Sequence, residues 1–144
     1  MISILAIVAV LAGAQNTASP STAALPEPRQ ISEEAMKYVV DNDIKHLFEL
    51  LTRHMPMKPA ELEGIRTKMV DARKPMTERV GKVLGYTFIS ECRKSDILVR
   101  YTYAEKREKS VVRWQFIFYK PRTTWMLTYF FMDEDLNALF QPCV

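Results

Sequence analysis

Residues 110–133 read SVVRWQFIFYKPRTTWMLTYFFMD, and the alternation in this stretch decides the fold. Val112, Trp114, Phe116 and Phe118 recur at every second position, with Val111, Arg113, Gln115, Ile117 and Tyr119 between them. A period of two belongs to a β-strand, whose successive side chains point to opposite faces. From Thr124 to Asp133 the pattern returns. Trp125, Leu127, Tyr129 and Phe131 share one face, and Met126, Phe130 and Met132 the other. Only Pro121-Arg122-Thr123 separates the two runs. A parallel pairing needs a crossover of a dozen or more residues, so the runs form an antiparallel pair. A sheet with one wet face alternates apolar with polar side chains. These strands are apolar on both faces over part of their length, and each large side chain left in water forgoes about 1.5–3 kcal/mol. The pattern therefore predicts a cover on both faces: helices on one, and a partner subunit or strong curvature of the sheet on the other.

Working upstream, period two also marks strands over about Gly85 to Arg93 and Asp96 to Ala104, with the last two spanning Ser110–Lys120 and Thr124–Asp133. Lys94-Ser95 and the charged run Glu105-Lys106-Arg107-Glu108-Lys109 read as the connections, giving a four-stranded meander. Before the strands the period is helical. Ser32 is a good N-cap, with Glu33 and Glu34 in the first turn, and Met36, Val40, Ile44, Leu47, Phe48 and Leu51 form an apolar stripe down one helix to Arg53. Pro56 and Pro59 stop it. A second helix starts near Pro59, carries Leu62, Ile65, Met69 and Ala72, and is expected to end or kink at Pro75, with a loop to Gly81. Leu136 to Phe140 adds a short turn. The expected fold class is α+β: two N-terminal helices packed on a curved four-stranded antiparallel sheet.

The N-terminus differs in kind. Ile2 to Ala14, ISILAIVAVLAGA, is an apolar run ending in Ala12-Gly13-Ala14, the form of a secretory signal with its cleavage site after Ala14. It falls short of the roughly 20 residues of a spanning helix. No Lys or Arg precedes it, and an uncleaved membrane anchor is the alternative. Residues 15–30, rich in Pro, Ser, Thr and Ala, read as a flexible linker, which leaves 31–144 as the folded domain. The expected location is periplasmic or extracellular, in a bacterium. There Cys92 and Cys143 can form a disulfide, and two unpaired thiols are the alternative.

Composition narrows the class. In 144 residues, 48% are apolar and 26% charged, with four Gly and two Cys, which excludes disordered, collagen-like and disulfide-scaffold chains. The net charge is +3, unevenly spread: residues 74–122 hold twelve basic and five acidic side chains. Lys106, Arg107 and Lys109 are placed at a hairpin tip, where an anionic surface is one reading and a solvated hairpin the other. Export argues against nucleic acid.

This layout resembles the nuclear-transport-factor-like, or cystatin-like, α+β roll, and more narrowly the small exported bacterial proteins of that fold without an assigned function. Arg113 to Phe140, RWQFIFYKPRTTWMLTYFFMDEDLNALF, carries the resemblance through its aromatic strand, its Tyr-Lys-Pro turn, its Trp-x-Leu opening and its acidic end. The superfamily includes enzymes such as ketosteroid isomerases and polyketide cyclases, as well as binding and assembly modules, and the fold does not choose among them.

The search for chemistry finds no P-loop, G-x-G-x-x-G, G-x-S-x-G or H-E-x-x-H, nor the Q-x-V-x-G hairpin of cystatin inhibitors. His46 and His54 are two helical turns apart, too far for one metal shell, and no metal or other cofactor is expected. Asp43 and His46, at i and i+3, can share a hydrogen bond, though such mixtures are ordinarily a solvated face. Were the space between helices and sheet open, Tyr86, Tyr101, Tyr103 and Tyr129 with His54 would line a pocket for a small apolar ligand. Otherwise the tyrosines pack in a core with hydroxyls at its edge, and His54 caps its helix. The leading expectation is an exported, non-catalytic binding or interaction module that dimerises through its sheet, using Arg113, Gln115, Ile117, Phe130 and Met132. A small pocket enzyme and a basic module for anionic surfaces are the alternatives.

Overall fold

Three helices precede four strands in the computed structural model, which describes residues 27–143. The expected signal and most of the expected linker lie outside the described residues. The elements are α1 (Glu27–Val40), α2 (Ile44–His54), α3 (Pro59–Val80), β1 (Val83–Lys94), β2 (Leu98–Arg107), β3 (Val111–Tyr119), β4 (Met126–Asp133) and a 3-10 turn, η1 (Asn137–Phe140). The strands pair in the order β1-β2-β3-β4, every pair antiparallel. The protein is thus α+β, with helices packed on one side of a curved meander.

The single first helix expected from about Glu33 to Arg53 is two helices, and the first begins earlier, at Glu27, inside the expected linker. The break lies at Asp41-Asn42-Asp43. Asn42 sits at φ 55°, a left-handed conformation that Asn tolerates better than most residues. Asp43 then caps α2: its Oδ1 accepts from the His46 backbone N–H at 3.2 Å, and its Oδ2 lies 2.6 Å from His46 Nδ1. The Asp43–His46 pair is therefore a helix cap. An apolar stripe cannot reveal this corner, because the stripe continues across it.

Pro75 does not end α3. Leu62, Met69, Arg73, Met76 and Val80 keep helical spacing and are all buried, so packing beyond the proline outweighs the hydrogen bond lost there. The helix stops at Gly81, φ 87°, whose N–H reaches Thr77 O. A Cβ on Gly81 would lie 2.5 Å from the Glu108 carboxylate, so the site needs glycine both for its φ and for space.

Two alternations depart from the sequence reading. β2 runs on to Arg107, because Glu105 and Arg107 continue the inward-facing row of Val99, Tyr101 and Tyr103. Their place in a hairpin loop is corrected: both are buried. In β4 one extra residue sits opposite the step from Ile117 to Phe118, so Leu127 and Phe130 both face the helices. One inserted residue moves every later side chain to the other face. Phe130 and Met132 therefore pair with Phe116 and Trp114 on the inner side, while Tyr129 and Phe131 point outward.

Candidate functional site

The inner face of the sheet is filled. Tyr101, Tyr103, Trp114, Phe116, Phe118 and Leu127 have no solvent exposure and pack against Ala35, Met36, Val39, Leu47 and Leu51 of α1 and α2. Phe48 of α2 meets Phe130 edge to face at 6.0 Å between ring centroids. The expected pocket residues do not converge on an opening. Tyr101 and Tyr103 belong to the core, and Tyr129 is on the outer face, 54% exposed. His54 is the last residue of α2, half-buried, and the cap bond there is the Met55 N–H to Leu51 O.

Tyr86, Tyr101 and Tyr103 do share one cluster, built around Arg29 in the first turn of α1. The Arg29 guanidinium lies 3.5 Å from the Phe88 ring centroid and 5.8 Å from those of Tyr101 and Tyr103. Arg29 Nε also donates to Glu33 at 2.8 Å. Glu33 in turn accepts from the Tyr86 hydroxyl at 2.7 Å, and the Ser32 and Tyr103 hydroxyls are 2.8 Å apart. Burial, then the Glu33 carboxylate, push the Tyr86 phenol up to about 12. Burial likewise raises Tyr103 and Tyr101. A cation within reach of aromatic faces is attracted to them, and Arg29 packs on the Phe88, Tyr101 and Tyr103 rings in this way.

A second polar group lies deeper. Glu105, with no exposed surface, accepts from Arg73 Nη1 at 3.0 Å, from Arg107 Nε at 2.8 Å and from Trp114 Nε1 at 2.7 Å. Arg107 Nη2 is 2.6 Å from the same carboxylate. This contact is an ion pair without hydrogen-bond geometry, and other donors of the two arginines reach further acceptors. Arg73 reaches Val39 O at 3.2 Å and Asn42 Oδ1 at 3.4 Å, and Arg107 reaches Thr77 Oγ1 and Gly81 O. The corner after α1 thus supplies acceptors to an arginine of α3, and one carboxylate ties both to the sheet. The sequence signal for this cluster was the charge run itself, since Glu105 and Arg107 lie in phase with Tyr101 and Tyr103. Arg107 is consequently withdrawn from any basic hairpin tip, while Lys106 and Lys109 remain exposed.

Two open grooves flank α3. One, of about 640 Å³, lies against Asn42, Asp43, Val70, Arg73 and Thr77; the other, of about 650 Å³, lies against Phe48, Thr52, Leu62 and Arg66. Neither is lined by the tyrosines or by His54. Among the described residues, no three His, Cys, Asp or Glu side chains form a set that could hold a metal ion. Among them, too, no helix is long and apolar enough to cross a membrane.

The outer face is covered in part by the chain itself. Cys92 and Cys143 form a disulfide with Cα atoms 5.4 Å apart. Cys92 pairs with Arg100 in β2 and therefore points outward, away from the helices. The segment from Glu134 to Cys143 returns from the β4 edge to the β1 edge on this side. Thr102, Ala104 and Gln115, outward-facing on the central strands, are buried there although the helices meet the opposite face. Beyond this strap, Tyr119 and Tyr129 stay exposed next to half-buried Ile117 and Met126. Of the expected dimer residues, Arg113, Gln115 and Ile117 are on the outer face, with Arg113 bound to Asp133 and Gln115 buried. Phe130 and Met132 are on the inner one, for the reason of the inserted residue.

Comparison of the chain with family models, with curated proteins and with solved structures finds no match.

Proposed function

We propose that this chain is an exported, non-catalytic interaction module of the cystatin-like, nuclear-transport-factor-like kind, which pairs with a second copy through the outer face of its sheet. One observation carries the reading. The concave side, where members of that superfamily hold ligands, is packed without residue to spare, while exposed aromatic side chains gather on the opposite side at Tyr119 and Tyr129. The disulfide supports an oxidising compartment. The choice of a second copy rests on β4, an edge strand whose residues Met126 to Met132 carry no charge. The other edge, β1, is guarded by Glu91, Arg93 and Lys94. The outer face beside this uncharged strand, with Met126, Tyr119 and Tyr129, is therefore free to meet an identical apolar face about a two-fold axis. Sedimentation velocity on the exported protein at tens of micromolar tests this. A dimer that Tyr129→Glu converts to monomer is the expected result, and a monomer at every concentration overturns it.

A further inference from the structure

The strap from Glu134 to Cys143 is held differently from the rest of the domain. None of the four residues of η1 is buried, and Phe140 is 86% exposed. Among the described residues its noncovalent ties are few: Arg79 with Glu134, turn bonds from the Asp135 and Ala138 N–H groups to aspartate side chains, and one from the Leu139 N–H to Leu136 O. A segment with little buried surface of its own opens at low cost in free energy once a covalent tie to the sheet is cut. The two sulfurs sit unequally. Cys143 is exposed, whereas Cys92 is 6% exposed. Directly opposite Cys92 in the β1–β2 register stands Arg100, on the same outward face. Residues paired in this way have Cβ atoms about 4.5–5.5 Å apart. The Arg100 Nε is buried and meets no acceptor among the described residues.

We propose that the Cys92–Cys143 disulfide is a thiol-exchange site, opened by a dithiol, whose reduction frees the strap 134–143 from the outer face while the domain stays folded. A thiolate of the dithiol attacks the exposed Cys143 sulfur. The S–S bond breaks, its electron pair leaves on Cys92, and Cys143 is held as a mixed disulfide. The second thiol of the dithiol then attacks its own mixed-disulfide sulfur and expels Cys143 as thiolate. The dithiol has lost two electrons and two protons and becomes a disulfide, and the protein ends as two thiols. Arg100 acts on the leaving group: a cation beside a cysteine favours its thiolate, and a better leaving thiolate departs faster. The unpaired Nε hydrogen supplies the donor that this thiolate needs. The inference is independent of the dimer, because it concerns only what holds the strap.

The test uses the full exported chain and dithiothreitol, with the reduced fraction read by alkylation and mass spectrometry. Reduction is expected to proceed in native buffer, at a rate unchanged by low urea. Chymotrypsin then cuts near Leu136 or Phe140 in the reduced form only, while tryptophan fluorescence stays native. Arg100→Met is expected to slow reduction on the order of 5-fold and to raise the pH midpoint of Cys92 alkylation by about one unit, with Arg100→Lys restoring both. Reduction that occurs only at the rate of global unfolding overturns the proposal. So does an Arg100→Met protein of native fluorescence whose rate and midpoint are both unchanged. Should Arg100→Met fail to fold, the wild-type rate in native buffer and the protease pattern of the reduced chain decide alone.

Discussion

Glu105 is the side chain whose removal tests the interior most sharply. Its carboxylate is the counter-charge for two arginines, Arg73 and Arg107, whose side chains are 5% exposed or less. It also accepts the Trp114 indole N–H at 2.7 Å. Truncating it to alanine leaves two buried cations and an indole N–H without that acceptor. Breaking a buried ion pair from one side costs about 3–5 kcal/mol, and an orphaned buried donor about 1–3 kcal/mol. The two losses overlap in one cluster, so Glu105→Ala is expected to cost roughly 4–6 kcal/mol, a large share of the roughly 5–15 kcal/mol of an ordinary domain. With a urea slope of about 2 kcal/mol/M, the midpoint falls by about 2–3 M. Arg73→Met leaves Glu105 with Arg107 as its partner and removes hydrogen bonds to one charged group, so it costs less, about 1.5–3 kcal/mol. Tryptophan fluorescence in urea reads both, since Trp114 is in the cluster and Trp125 is not. A Glu105→Ala midpoint within about 0.5 M of wild type would refute the reasoning, as would an Arg73→Met protein less stable than Glu105→Ala.

Two further expectations concern pH. The Arg113 guanidinium beside Asp133 holds its carboxyl below the usual range, helped by the Asp135 backbone N–H. The pair's contribution is present above the unfolded carboxyl range near 4 and is lost as pH falls through the lower folded value. Asp133→Asn should therefore lower the thermal midpoint at neutral pH and flatten the acid limb, and an unchanged limb counts against the pair. At the alkaline end the sign reverses. Tyr86 keeps its proton to about 12 in the folded state, while the unfolded chain loses it near 10, so stability falls over that interval. Tyr86→Phe should make this alkaline limb shallower, measured by urea midpoints between pH 9 and 11, and a limb as steep as in wild type would contradict the assignment.

The element types were legible because each rests on a local period. The alternation in Val111–Tyr119 and Met126–Asp133 marks strands wherever they pack, and the stripe from Met36 to Leu51 marks helix. Two large side-chain placements were not legible, for opposite reasons. Glu105-Lys106-Arg107 looks like a polar turn, and it is strand because Arg73, more than thirty residues upstream, arrives to neutralise Glu105. Thr128-Tyr129-Phe130 looks like plain alternation, and it is bulged so that Phe130 can meet Phe48. The tyrosines of β1 and β2 were recognised as inward-facing, but whether they lined a hole depended on Arg29.

By itself the sequence determined that helices would lie on an antiparallel meander, since periodicity and hydrophobic area are properties of a segment. Tertiary structure alone decided which segments meet across the fold. The Cys92–Cys143 bond joins residues 51 apart and draws residues 134–143 over part of the outer face, and Arg29 of α1 packs on the tyrosine cluster. Such contacts join segments distant in the chain, and no local pattern records which partner each will meet.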